Sequence, residues 1–181
     1  MAMAMNLAAG AVAQRKTLIM VAEWPETGSE TPNREILGTR TEDSSYELNP
    51  DIQTSQDILG KTYTDVNKTE PQQTFDPFYL IGGSKLGEYL ANAVLENNID
   101  AYTNAFTIYI IAAFISETSG SGTPTTYYRT AKHTGCSIIP TAIGGDTKNN
   151  MPIEVHYSNV ITMGKVDKLS SDFAFTADSA S

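Results

Sequence analysis

The chain has 181 residues, the usual size of one globular domain, and 40% of them are hydrophobic while 18% are charged. Much of the remainder is uncharged polar residues and Gly, and this composition favours strands and turns and argues against a helical bundle. With 21 acidic and 12 basic residues the formal net charge is -9, which argues against a protein that holds nucleic acid by neutralising its phosphates. Cys136, the single cysteine, excludes an intrachain disulfide and favours a reducing compartment.

Residues 1–14 have no strong hydrophobic period, so we interpret them as an arm that is disordered alone or ordered against a neighbour. No basic residue precedes this apolar stretch, so we do not expect a signal peptide. Residues 16–24 then predict a buried strand that ends at Pro25. Asn49-Pro50-Asp51 predicts a turn among further strand-like pieces, which lie at residues 34–41, 45–48, 51–59 and 61–66.

Residues 84–97 form the one segment with helical spacing. Leu86, Leu90 and Val94 recur on one face and Ser84 can cap the start, so we predict an amphipathic helix that packs this face on a sheet. Residues 105–115 are apolar on both pleat faces, which predicts a central strand covered on each side. This run is about half the ~20 residues of a membrane-spanning helix, so we predict no transmembrane segment.

The remaining pattern predicts short strands separated by turns. The fold class is therefore mainly β, a β-sandwich or barrel with one flanking α-helix. Residues 15–181 are expected to form a single domain with a long acidic loop region around residues 41–60. The later strands are predicted at residues 125–139, 152–160, 161–166 and 173–175.

Two candidate catalytic patterns are weak. His133 and Cys136 lie three residues apart, and side chains with that spacing in an extended strand point to opposite faces. We expect a buried thiol beside a surface imidazole, and we expect no metal site because His156 is the other histidine and a zinc site needs about four ligands. The adjacent carboxylates of Glu42 and Asp43 are more typical of solvated loop charge than of an acid and base pair. We therefore predict neither catalysis nor a cofactor.

Six strings together resemble the major tail tube proteins of long-tailed bacteriophages. The similarity spans residues 15–166, and its specificity comes from the order and spacing of the strings. They are TEDSSYELNPD at 41–51, TSQDILG at 54–60, FDPF at 75–78, GGSKL at 82–86, IPTAIGG at 139–145 and MPIEVHYS at 151–158.

The resemblance implies a structural virion protein without enzymatic activity. It implies a β-sandwich with one flanking helix, assembled as homo-hexameric rings that stack into a hollow tail tube through which genomic DNA passes without specific binding. The protein would be made in the bacterial host cytoplasm and located in the virion tail. Its partners would be copies of itself and other tail proteins, namely the tape measure, the terminator and the baseplate or tip, with no membrane and no cofactor involved.

Two groups of residues follow as candidate sites. A long stretch without regular structure inside a compact domain usually has a binding task. An inter-subunit or inter-ring segment is therefore predicted at Thr41, Glu42, Asp43, Tyr46, Asn49 and Pro50. Carboxylates on or beside strand-like segments are predicted to face the bore, where acids would repel phosphate. These acids are Glu35, Glu47, Asp51, Asp57 and Asp65.

Two other classes of function stay open at this point. A carbohydrate- or receptor-binding β-sandwich would expose an aromatic patch, and the Tyr127–Tyr128 pair could belong to one. A small hydrolase built on Glu or Asp pairs is the second alternative.

Overall fold

A computed structural model describes residues 3–26, 31–41, 44–119 and 124–179. These residues form a mainly β protein with one α-helix, α1, at Lys85–Leu95. The predicted fold class is confirmed. The strands are β1 (Ala4–Met5), β2 (Leu18–Trp24), β3 (Asn33–Ile36), β4 (Pro50–Gln56), β5 (Thr62–Thr69), β6 (Gln72–Phe75), β7 (Phe106–Ser119), β8 (Thr125–Pro140), β9 (Ile153–His156), β10 (Ile161–Val166) and β11 (Phe175–Ala177).

Nine strands form one antiparallel sheet whose main path is β11-β10-β8-β7-β2-β3. The long strand β8 belongs to two parts of it. Its residues 128–133 pair with β10, and its residues 137–140 pair with β9, which in turn pairs with β6. Gly135, with φ of 80°, lies between these two parts. One strand thus joins the two halves of the sheet.

The central strands β2 and β7 bury side chains on both faces. In β2, Met20, Ala22 and Trp24 belong to one buried cluster, while Val21 belongs to a second cluster on the opposite face. This alternation follows from the two-residue period of a strand. The first cluster includes side chains of α1 and β6, and the second includes Phe173. In β7, Phe106 and Ile108 belong to the first cluster and Tyr109 and Ile111 to the second, so the predicted central strand has both faces covered up to Ile111, and residues 112–115 are half-buried.

The helix follows the predicted boundaries. The Ser84 side chain accepts a hydrogen bond from the Gly87 backbone N–H, which caps the first turn, and Asn97 follows the last turn with φ of 53°. Leu86 and Leu90 are fully buried. Val94 is half-buried instead, because the neighbouring Ala93 takes the core-facing position at the end of the helix.

Strands β4 and β5 form a separate two-stranded hairpin. Each residue of β4 is exposed, and so is each residue of β5 apart from Thr69. The Asp57 backbone N–H bonds to the Lys61 carbonyl and the Gly60 N–H bonds to the Asp57 carbonyl, which closes the turn. The acidic region predicted as a loop at 41–60 therefore contributes β4 to a projecting hairpin.

Candidate assembly surface

Both members of the His133–Cys136 pair are buried: Cys136 belongs to the first cluster, and the His133 ring packs against Tyr157 of that cluster. Gly135 is an extra residue in β8, because Phe106 lies opposite Cys136 while the next residue of β7, Thr107, lies opposite Thr134. This bulge turns Cys136 to the same face as His133, and both are at most 2% exposed. The prediction of a buried thiol is confirmed. The prediction of a surface imidazole is wrong because the spacing argument assumed a regular strand.

The electrostatics of this pair fit a role in packing. His133 Nδ1 lies 2.9 Å from the Ser158 carbonyl oxygen, and burial lowers the pKa of the imidazole. Burial also raises the pKa of the Cys136 thiol. A protonated thiol is a poor nucleophile, and a group buried to this extent does not reach a substrate. No three His, Cys, Asp or Glu side chains within the described ranges cluster as metal ligands.

The tyrosine pair considered for sugar binding is half-buried. The Lys165 ammonium lies 4.6 Å from the Tyr127 ring centroid, and Tyr128 packs against the second buried cluster. Each ring therefore already has a partner within the chain.

Among the described residues there is no helix with the length and hydropathy needed to cross a membrane.

One face of the β4–β5 hairpin, called here the apolar face, carries two aliphatic side chains among uncharged polar ones, Thr54, Gln56, Thr62 and Thr64. Ile52 lies directly opposite Val66, and Thr54 lies opposite Thr64. Paired residues of an antiparallel ladder point to the same side, so these four side chains share a face. Ile52 is 57% exposed and Val66 is 58% exposed. The turn adds two more apolar side chains in solvent, Ile58 and Leu59.

The opposite face of the hairpin, called here the acidic face, carries two carboxylates together with Ser55, Tyr63 and Asn67. Asp65 lies opposite Gln53, and the Asp51 carboxylate accepts a hydrogen bond of 3.3 Å from Asn67 Nδ2. Asp51, Gln53 and Asp65 therefore share the second face by strand alternation. The structure brings together two of the five acids predicted to line a bore.

The other three predicted bore acids have different surroundings. Glu47 is exposed, and its backbone pairs with Gln72 at the base of the hairpin. The Asp57 carboxylate accepts backbone hydrogen bonds from Lys61 and Leu59, and these bonds lower its pKa from the ordinary value of 3.8. Asp57 thus stabilises the turn of the hairpin.

Glu35 is bound to the start of the helix. Its Oε1 accepts a hydrogen bond of 2.6 Å from the Ser84 hydroxyl, and its Oε2 accepts one of 3.0 Å from the Leu86 backbone N–H. A carboxylate at this position satisfies free donors of the first turn and interacts favourably with the helix dipole. This contact joins residues that are far apart in sequence, which is why spacing alone did not indicate it.

The predicted interface segment connects the hairpin to the sheet. The Thr41 hydroxyl donates to the Pro77 carbonyl at 3.0 Å, and the Tyr46 ring stacks edge-on against Tyr157 with centroids 4.8 Å apart. Asn49 has φ of 43°, and Pro50 begins β4. The other two members of the segment, Glu42 and Asp43, lie outside the described residues.

The terminal arm contacts β7 of its own chain. Ala4 and Met5 pair with Ser116 and Ile115. Asn6 extends this pairing through its backbone N–H, which donates to the Phe114 carbonyl at 3.0 Å. Sequence reasoning left the arm either disordered alone or ordered against an unspecified neighbour, and no signal in its own residues pointed to β7.

Comparisons with known proteins give the following likenesses. No family model matches the chain, and no curated protein is significantly similar to it in sequence. Among solved structures, the chain is similar to a component of the sheath/tube terminator of the extracellular contractile injection system PVC in the extended state. The sequence identity is 13%, the TM-score is 0.44, and the match covers 86% of this chain and 99% of the other.

Two further likenesses involve the anti-feeding prophage. A chain from its 6-fold symmetrised baseplate structure has 12% identity and a TM-score of 0.42, with 87% of this chain and 97% of the other covered. A chain from its tube terminating cap has 14% identity and a TM-score of 0.39, covering 88% and 98% respectively. Values this low do not establish a family.

Proposed function

We propose that the chain is a structural subunit that self-assembles as stacked hexameric rings, forming an acidic-lined tail tube for genome delivery. The observation that carries this proposal is the projecting hairpin with one apolar and one acidic face. The resemblance of residues 15–166 to major tail tube proteins suggests the same role. Other tail proteins, namely the tape measure, the terminator and the baseplate or tip, would be its partners at the ends and inside the tube.

The hairpin has the properties of an interface element. A two-stranded hairpin is marginally stable on its own in water, and here its apolar side chains lie outside both buried clusters. Packing the Ile52–Val66 face on a neighbouring copy would remove that surface from water and order the hairpin at the same time. If the hairpin of one copy meets a different surface of the next copy, such contacts are heterologous and generate rings or tubes.

The acidic face fits the inside of such a tube. If the apolar face packs on a neighbouring copy, Asp51 and Asp65 point the other way, towards the bore. Duplex DNA carries one charge per about 1.7 Å, so a ring of carboxylates prevents the wall from holding it. Screening limits this repulsion to about 8 Å at physiological salt, so the wall repels DNA that touches it without driving transport.

Assembly of the purified chain tests the proposal. We expect the wild type to form rings or tubes in negative-stain micrographs at high concentration. Ile52→Asp should remain monomeric, with an unchanged melting temperature because the site is exposed. Ser55→Asp is the matched control, since it adds the same charge to the opposite face of the same strand. A wild-type chain that is monomeric at every concentration would overturn the proposal.

A further inference from the structure

We propose that the terminal arm is exchanged between copies in the assembled particle, so that β1 of one chain pairs with β7 of its neighbour. This inference rests on the proposed function, and it adds a second contact between copies that is independent of the hairpin. The partner is another copy of this chain, because the surface that β1 recognises is part of the chain itself.

The receiving surface on β7 is a bulge in its pairing with β8. Ala112 lies opposite Arg129 of β8 and Ser116 lies opposite Tyr128, so residues 113–115 have no paired residue in β8. On its other edge, β7 pairs with β2 up to Ala112. Beyond that point, β1 is the partner of this edge within the part of the chain that the structure describes.

Asn6 matches this bulge specifically. Its side-chain Nδ2 donates to the Ala113 carbonyl at 3.1 Å and to the Ser116 hydroxyl at 2.9 Å. Its backbone N–H donates to the Phe114 carbonyl. The arm thus supplies the polar partners that the bulge lacks in the sheet, and any copy of the arm can supply them equally well.

The intrachain arrangement holds β1 weakly. The strand has two residues, both exposed, and the Met5 side chain is 64% exposed. The chain leaves β7 opposite Phe114, runs through residues 7–17 and returns opposite Ala112. Closing such a loop costs conformational entropy that offsets part of the gain from pairing. Val12 within this loop is 87% exposed and gains nothing from the closed arrangement.

The linker sets the distance over which exchange can occur in a particle. Residues 7–14 precede the helical turn at Arg15–Thr17, where Arg15 donates to the Ser44 and Leu18 carbonyls, and they span up to about 29 Å when extended. Exchange therefore needs the β7 of a neighbouring copy within about 29 Å of the start of β2. Stacked copies keep a neighbouring β7 at a high effective concentration, of the order of mM for short flexible connections. The β1–β7 hydrogen bonds that are lost within a chain are regained between chains, so exchange costs little free energy and links the copies.

Cysteine cross-linking distinguishes the two pairings. Met5 and Ile115 lie directly opposite each other, and opposed Cα atoms about 4.5–5.5 Å apart are within the range of a disulfide. Chains carrying Met5→Cys are co-assembled with chains carrying Ile115→Cys and oxidised mildly. Neither chain can form this disulfide internally, and the native Cys136 is fully buried. We expect a covalent dimer containing one chain of each kind.

Two controls define the result. The Met5→Cys/Ile115→Cys double variant should give an internal disulfide in dispersed monomers and a ladder of multimers in particles. Ser55→Cys/Tyr63→Cys, an exposed pair directly opposed on the other face of the hairpin, should give internal disulfides in both states. Particles that form normally but yield internal disulfides alone would overturn exchange and leave the proposed function standing. Chains that never assemble would overturn both.

Discussion

At the scale of single residues, Glu35 on β3 stabilises the start of α1. Glu35→Ala removes the acceptor for Ser84 Oγ and for the Leu86 N–H. We expect a loss of about 1–2 kcal/mol in the free energy of unfolding, the usual cost of losing a helix cap. The measurement is urea unfolding at pH 7, with Glu96→Ala at the exposed end of the same helix changing stability by less than about 0.5 kcal/mol. Equal effects of the two substitutions would contradict this role.

His133 should make stability depend on pH. Burial lowers its pKa below the ordinary 6.5, so the native state keeps the ring neutral while the unfolded state takes up a proton near pH 6.5. The unfolded state then binds more protons, and stability falls as the pH drops below 6.5 until the lower folded-state pKa is passed. We expect His133→Gln to flatten the unfolding free energy between pH 7 and 5 relative to the wild type. The same change at exposed His156 is the control, and equal flattening by both would count against a special role for His133.

At the scale of elements, the helix should act as one wall of the core. Leu90 is fully buried on α1 whereas Leu95, one turn later, is 76% exposed. Leu90→Ala is expected to cost about 2–5 kcal/mol through lost burial and a residual cavity, while Leu95→Ala stays within about 0.5 kcal/mol. Denaturant midpoints of the two variants check this contrast. A Leu90→Ala midpoint at the wild-type value would show that the helix is peripheral.

The elements also show how far sequence reasoning reaches. Strands β2 and β7 and the helix were predicted because burial of their faces gives their sequences a recognisable pattern of apolar residues. Strand β6 was missed, because Gln72–Phe75 is short and its pattern lacks a run of apolar residues. The burial of His133 was missed because a single glycine bulge reverses facing, and the two-sided hairpin was missed because sequence spacing does not reveal which strands leave the main sheet.

At the scale of the whole molecule, charge should control the passage of DNA through an assembled tube. Asp51→Lys or Asp65→Lys would place a ring of cations where the proposal puts acids. We expect particles with either change to eject DNA more slowly at low salt, with the delay relieved at high salt because phosphate contacts weaken steeply with ionic strength. Glu88→Lys, on the exposed side of α1, is the control with the same change in charge. Ejection at the wild-type rate in low salt from both hairpin variants would remove these acids from the bore.

The continuous strand β8 also has a mechanical consequence. Over its length it pairs with β7 on one side and with β10 and then β9 on the other. A force applied between Phe106 and Thr125, at opposite ends of the paired strands β7 and β8, loads many of these hydrogen bonds in shear, so they resist together. Pulling between Pro50 and Thr69, which lie opposite each other at the base of the hairpin, opens its bonds one after another. We expect single-molecule force spectroscopy to show a high rupture force for the first geometry and a low one for the second, so that the subunit is stiff along β8 and compliant at its hairpin.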